Sequence, residues 1–509
     1  MPSKDLRLPY SRIIIAVISL ALTGLLTAGC AGPTGAPAER PRPETVPPGP
    51  QAWNPLIASD PGGRVYVTYY AGPGGFVRGL SFTRSVDGGA TWLPQPIELE
   101  PVTPRRTRIG FHKLEKDGKG HVFATWSLEI PVEMGRWRTK EVSRRHSSDF
   151  GATWSAAPAR WTSDRRGLFP TPMTLADGEL SLLWTQRQGK DHHLYFSRTH
   201  DSGRTWPASP VAIDVLGSEA ASPERATKRV RESVWPSMVG DEAGRIFVTW
   251  ADNRSGLHDI FFSRSLDGGQ SWSDRNARLD TDSPGSGHSR FPSIATDGNG
   301  GICVLWEDRR HNGHDLYFNS SLDIGETWLT HDRRVTPDRS PQRSSVLDHL
   351  LFCDRAGNVY AVWRESWGGP EHIFFNASQD RGATWFLRPR QLDNQGEGAH
   401  SSVMSLAYDE AGHVYVVWLQ MEEGKADSIL LNRSEDFGST WLPKPFNLRA
   451  SMAREGATGE ARFPRISADG QGRVYVIWSS SESEEFRLFL NRSADYGATW
   501  LTSEIQITP

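Results

Sequence analysis

Cysteine is scarce in this chain, with three in 509 residues. One lies near the N-terminus, so the body has at most one intramolecular bridge. Its two cysteines, Cys303 and Cys353, fall in strand-like apolar runs on neighbouring units, and the sequence reads them as small buried thiols. Charge of one sign is also missing. The formal net charge is −3, which gives no electrostatic basis for nucleic-acid binding or for adhesion to an anionic membrane surface. Beyond the first thirty residues no apolar run is long enough to cross a bilayer. There is no P-loop, no dinucleotide fingerprint and no Gly-x-Ser-x-Gly elbow. His192-His193 and His311/His314 are the only metal-like spacings, and neither has a third ligand nearby in sequence, so no metal or cofactor is expected.

The N-terminus reads as an address. Lys4, Arg7 and Arg12 precede an apolar run from Ile13 to Leu26, too short to span comfortably. It ends in Leu26-Thr27-Ala28-Gly29-Cys30, which resembles the lipobox of bacterial lipoproteins. That resemblance implies a signal peptide over 1–29, lipidation of Cys30 and export to the cell envelope. Ala31 at the next position points to the outer membrane. Residues 31–50 hold seven prolines and read as an extended tether, reaching roughly 60 Å at ~3.1 Å per residue. The body is expected over 51–509.

What the chain does have is an internal repeat. The pattern Ser/Thr-x-Asp-x-Gly-x-Thr/Ser-Trp occurs eight times, its aspartates being Asp87, Asp149, Asp201, Asp267, Asp323, Asp380, Asp436 and Asp495, 52 to 66 residues apart. Such an aspartate can accept N–H bonds across a tight turn, glycine supplies positive φ, and the tryptophan is expected to plug into the blade. The flanks repeat as well. In the last unit, Arg462–Asp469, Gly472–Trp478 and Leu488–Arg492 are apolar, β-branched and aromatic runs of strand length, followed by the box and a short run ending near Ile507. Four strands per unit, A to D, with the box between C and D, predict an all-β, eight-bladed propeller of antiparallel blades. Unit one begins with its own strand A and unit eight ends with its own strand D. The ring should therefore close by packing and not through a shared sheet. A smaller ring with extra strands is the alternative, against which the even spacing argues. Trp126, Trp184, Trp250, Trp306, Trp363, Trp418 and Trp478 share one register in strand B, with Tyr69 in unit one. With the box residues they leave only five of the 20 tryptophans: Trp53, Trp137, Trp161, Trp235 and Trp367.

These boxes resemble the Asp boxes, or BNR repeats, of the sialidase (neuraminidase) superfamily. The resemblance covers residues 51–509 and is specific for blade type. It is weaker for chemistry, because Asp boxes also occur in non-enzymatic receptors and assembly factors. Sialidases of that superfamily are six-bladed, from which eight blades depart; the resemblance implies three arginines clamping a carboxylate, a tyrosine nucleophile activated by a glutamate, and an aspartate acid/base. One clamp arginine belongs to an Arg-Ile-Pro motif, whose nearest matches are Arg290-Phe291-Pro292 and Arg462-Phe463-Pro464. Two arginines match where three are needed, and they lie three blades apart. Tyr70, where the B–C loop is expected to begin, is the remaining tyrosine not otherwise placed, so Arg290, Arg462 and Tyr70 are the catalytic candidates of an incomplete set.

Blades four and five share Trp-x-Asp-x-Arg, with Asp252/Arg254 and Asp308/Arg310. Either this is a charged rim for a sugar or carboxylate, or it is a loop held by an Asp–Arg fork, and the fork is favoured. Basic loops precede blade two (Arg105, Arg106, Arg108) and blade four (Arg225, Lys228, Arg229, Arg231). The expected function is a lipid-anchored envelope protein binding a glycan or a protein partner at the channel mouth, with Arg290, Arg462, Asp252, Arg254, Asp308 and Arg310 as ligand-binding candidates. An exo-α-sialidase or diverged glycoside hydrolase is the alternative.

Overall fold

The structure is a computed structural model that describes residues 51–72, 79–101, 107–132, 137–162, 167–214, 230–311, 313–337, 345–393, 399–449, 459–481 and 485–508. Every regular element among them is a strand. The strands form eight four-stranded antiparallel sheets, each made of four consecutive strands in sequence order. Blade eight comprises Glu460–Ala468, Val474–Ser481, Phe486–Ser493 and Ile505–Gln506. The signal peptide, Cys30 and the tether lie outside the described residues.

Strand B is the middle of each blade's buried layer. Val474–Ser481 is buried throughout, and this double-sided burial explains why its sequence does not alternate. Apolar clusters lie in the seams, each drawing on two successive blades; Leu305 and Phe318 of blade five, for example, join Val359 and Trp363 of blade six. Six strand-B tryptophans are among the largest fully buried side chains. The last seam joins Tyr475 and Leu488 of blade eight to Val65 and Tyr69 of blade one. There Ser59 and Ser467 meet through their hydroxyls at 2.7 Å, and Arg473 donates to the carbonyl of Pro61 at 2.8 Å. Blade one keeps all four of its own strands, so the ring is closed by packing.

The box is a folding turn. Ser147 donates to Asp149 Oδ1 (2.7 Å) and accepts the N–H of Gly151 (2.8 Å), while Asp149 also takes the N–H (2.8 Å) and hydroxyl (2.6 Å) of Thr153. The Thr153 bonds, foremost the hydroxyl, hold the carboxyl down at about 2. The box tryptophan departs from the expectation. It is half-buried against the preceding blade, where Trp154 meets Phe82 at 4.8 Å, Trp272 meets Phe196 at 5.0 Å and Trp441 meets Phe375 at 4.8 Å, all edge-on. Strand-C arginines reach across the same seams to the carbonyls of the next box, as Arg198 does to Gly268 at 2.7 Å and Arg433 to Tyr496 at 3.1 Å. The box is thus an inter-blade joint, which fixes the blades and the loops they carry.

Candidate functional site

Strands A carry an irregularity near their first residues. The A–B register shifts between Val234 and Ser237 and between Arg290 and Ser293. Trp235 and Phe291, each followed by proline, have φ of +51°. Asn54, Phe169 and Phe463, also before proline, have φ between +48° and +57°. Proline offers no N–H to the ladder, and a bulge with a left-handed residue re-aims a side chain at about 1–3 kcal/mol. The residue before proline is aromatic in four of these five, and the bulge sits at the end of the strands opposite the A–B turns.

One grouping of aromatic, basic and acidic side chains there belongs to blades four and five. Trp235 packs on Phe291 (4.7 Å) and His258 (5.3 Å), and His258 stacks on His288 (5.1 Å). Arg290 Nη2 donates to Glu307 Oε1 at 2.5 Å, His314 Nδ1 lies 2.8 Å from the same oxygen, and Arg309 Nε lies 3.6 Å away. Burial works to raise the pKa of Glu307, but the bonds from His314 and Arg290 outweigh it and hold the group at about 2. Burial pushes His258 and His288 down to about 4, and Arg290 adds to the shift in both. Trp235 Nε1, His258 Nε2, His288 Nδ1 and Arg290 Nε are buried with no hydrogen-bond partner among the described residues. Of these, His258 Nε2 lies 3.7 Å from the Glu232 carboxylate.

The Trp-x-Asp-x-Arg motifs lie beneath this surface. Asp252 is wholly buried and accepts bonds from Arg254 (2.7 Å), Ser233 (2.9 Å) and Arg231 (3.1 Å). Asp308 likewise accepts from Arg310 (2.7 Å) and Ser289 (2.9 Å), and Arg310 continues to Asp332 at 2.9 Å. Both forks brace the ends of strand B, where Asp308 also takes the Trp306 indole N–H at 3.3 Å. Arg231 joins the brace of blade four, and Arg108 pairs with Glu129 at 2.9 Å. Arg105, Arg106, Arg225, Lys228 and Arg229 lie outside the described residues.

Arg462 does not meet Arg290; it pairs with Glu460 at 2.6 Å in its own blade. Tyr70 is not at a loop start, because strand B of blade one runs to Gly72. Its ring is buried and its hydroxyl donates to Gly110 O at 3.2 Å. Burial first, then Glu129, raises its pKa, and the positive charges of Arg108 and Arg465 act against this. His112, 4.6 Å from the Tyr70 ring, is pushed down to about 3 by burial and then by Arg465. Burial lowers Arg465 to about 10, and no acid pairs with it among the described residues.

Sequence reading passed over His112, Glu129, Glu307, Arg309 and Arg465. His112 could have been found from register alone, since it stands where five other blades have the strand-A proline and only blade six, with His349, also has a histidine. Glu307 was visible only as the variable residue of a motif. Among the described residues, Asp259, Asp280 and Asp282 offer oxygens within 4.8 Å of one another. Arg278 already lies among them, 3.4, 3.2 and 2.5 Å from the three, and offsets part of their charge, while burial and then Asp259 push the Asp280 carboxyl up. At the A–B-turn end a polar cavity of about 850 Å³ is lined by Asp117, Asp241, Asp297 and Arg355, among others.

Residues 125–294 match the model of a BNR repeat-like domain. No curated protein matches the sequence. Among solved structures, the chain is similar to an ulvan lyase (10% identity, TM-score 0.46, covering 88% of this chain and 94% of that one). It is also similar to a Fusarium graminearum α-L-arabinofuranosidase (13%, 0.39, 64% and 92%) and to a Hadza microbial sialidase (16%, 0.33, 81% and 80%). Eight sequential four-stranded sheets with a box on each make this chain an eight-bladed β-propeller, within which residues 125–294 match a BNR repeat-like domain.

Proposed function

We propose that the chain is an exported, lipid-anchored envelope protein that binds an acidic saccharide at the mouth formed by blades four and five. One observation carries this reading: Arg290 and Arg309 share the single carboxylate of Glu307, leaving positive charge beside the half-buried rings of Trp235 and Phe291. Aromatic faces suit sugar C–H surfaces, and an arginine fork suits a carboxylate or sulfate. Asp252, Arg254, Asp308 and Arg310 serve this site as supports from below, and Arg462 is a separate candidate on blade eight. Titration calorimetry of the mature chain with uronate-bearing and neutral oligosaccharides tests the proposal. Binding restricted to acidic sugars and weakened about tenfold or more in both Arg290→Ala and Arg309→Ala is expected. Unchanged binding in both variants rejects the site, and capture of a protein with no sugar response favours a protein ligand. Retention in the membrane fraction that is lost in Cys30→Ser tests the anchor.

A second reading, glycoside hydrolysis, has one observation in its favour: Tyr70 has Glu129 and Arg465 as charged neighbours. Turnover of a fluorogenic sialoside or another glycoside, abolished in Tyr70→Phe, supports it; no turnover across a glycoside panel removes it.

A further inference from the structure

We propose that Cys303 and Cys353 form a reversible disulfide that clasps blade five to blade six, made by exchange with a disulfide oxidant entering from the cavity at the A–B-turn end.

The two sulfurs already touch. Cys303 sits in strand B of blade five and Cys353 is the last residue of strand A of blade six. Their Sγ atoms are 3.7 Å apart, and both residues are buried in the seam with Ala295, Leu351 and Val359. A bond at about 2.05 Å asks the sulfurs to close by roughly 1.7 Å, within the reach of side-chain rotation at the end of a strand. Apart from the chain segment that connects them, no backbone ladder joins these blades among the described residues, since each blade's sheet is complete in itself. The seam is held by side chains alone.

The cysteines are not equivalent. Cys353 lines the cavity of about 850 Å³, and Cys303 does not. Contact with Cys353 and then burial push the Cys303 thiol up, keeping it protonated until a partner is in place. The order of events follows. Cys353 gives up its proton to solvent and its sulfur attacks a small disulfide, R–S–S–R, forming a mixed disulfide and releasing one RS⁻, which takes up a proton in turn. Cys303 then gives up its proton to solvent, and its sulfur attacks Cys353 Sγ and expels the second RS⁻. Two thiols are oxidised, one disulfide is reduced to two thiols, and the protons are conserved. The bond closes a 50-residue separation, long enough for the constraint on the unfolded chain to register as stability.

The experiment uses the full chain, incubated with oxidised glutathione, alkylated and digested without reduction. A peptide pair joined through Cys303 and Cys353 is expected, together with a melting temperature raised by about 5 °C that dithiothreitol reverses. In Cys303→Ser the first step has no successor, so Cys353 should accumulate as a glutathione mixed disulfide and the melting shift should vanish. Cys353→Ser should take up no glutathione at Cys303. Two free, alkylated thiols in oxidised wild-type protein would overturn the proposal, whether or not Cys353 reacts in the variant.

Discussion

Trp385 lies edge-on to Phe318, their ring centroids 5.0 Å apart, although one ends the box of blade six and the other belongs to strand C of blade five. The most conspicuous residues of the repeat thus hold one blade to the next. Phe318→Ala should destabilise the chain by about 3–5 kcal/mol by opening this seam, and Phe318→Leu by clearly less. Denaturant titrations of the two variants would separate seam packing from a purely local turn effect, for which both changes would be nearly silent.

The box glycines carry a double demand. Gly382 has φ of +86°, and a Cβ there would stand 2.0 Å from the Phe318 ring, whereas Gly118 has φ of +72° and open space around it. Gly118→Ala should cost only the backbone term, about 1 kcal/mol. Gly382→Ala should cost several times more, because the aromatic of the neighbouring blade must move. Equal losses in thermal melts of the two would show that the close approach does not matter.

Acid should loosen the joints in a defined window. Asp149, Asp267, Asp323 and Asp495 are held at about 2 in the fold, against an ordinary value near 4. A depressed carboxylate contributes its full share above the unfolded pKa and loses it as pH falls through the folded one. Stability should therefore decline between about pH 4 and pH 2. These carboxylates are exposed, so each contribution is small and screened. Calorimetric melts should show a shallower acid slope in an Asp149→Asn/Asp495→Asn double variant.

Binding at blades four and five should fade with salt. If Arg290 and Arg309 meet an anionic sugar at the surface, affinity should fall steadily between about 50 and 500 mM salt, with the slope reduced in Arg309→Ala. Arg290→Lys should keep part of the salt response while losing affinity, because an ammonium cannot reproduce the fork. A salt-independent affinity would point to the aromatic residues alone.

Tyr70 offers a separate check. Tyr70→Phe removes the bond to the Gly110 carbonyl and the hydroxyl's contact with the Asn54 side chain, so a loss of about 1–2 kcal/mol in stability is expected if the hydroxyl only supports the fold. Loss of turnover at unchanged stability would instead place it at the chemistry.

The blades were legible because their signals are local: a turn that needs Asp and Gly at fixed offsets, and strand-B runs whose burial on both faces imposes continuous apolarity. The Asp252/Arg254 and Asp308/Arg310 forks were also legible, since both partners lie two residues apart. The Glu307 grouping was not. Its members come from strand A, strand B and the B–C loop, and only the pairing of Arg290 opposite Glu307 brings them together. Tyr70 was misplaced for a related reason: polar and aromatic residues at the end of strand B look like a loop, yet they remain in the ladder as far as Gly72. The destination of the box indole was hidden because nothing in a repeat says whether a contact falls within a unit or between units.

Because every sheet is assembled from an uninterrupted stretch of chain, growth of the ring is additive. Each newly emerged module needs only the one before it as a template, so a chain that appears N-terminus first can settle step by step. The last event is different in kind. Until Leu488 and Leu490 reach Val65 and Val67, the arc has two greasy ends, and a second arc could satisfy them as well as its own partner. Dimers made by exchanging modules are the expected by-product of refolding at high concentration, and slow dilution is the remedy.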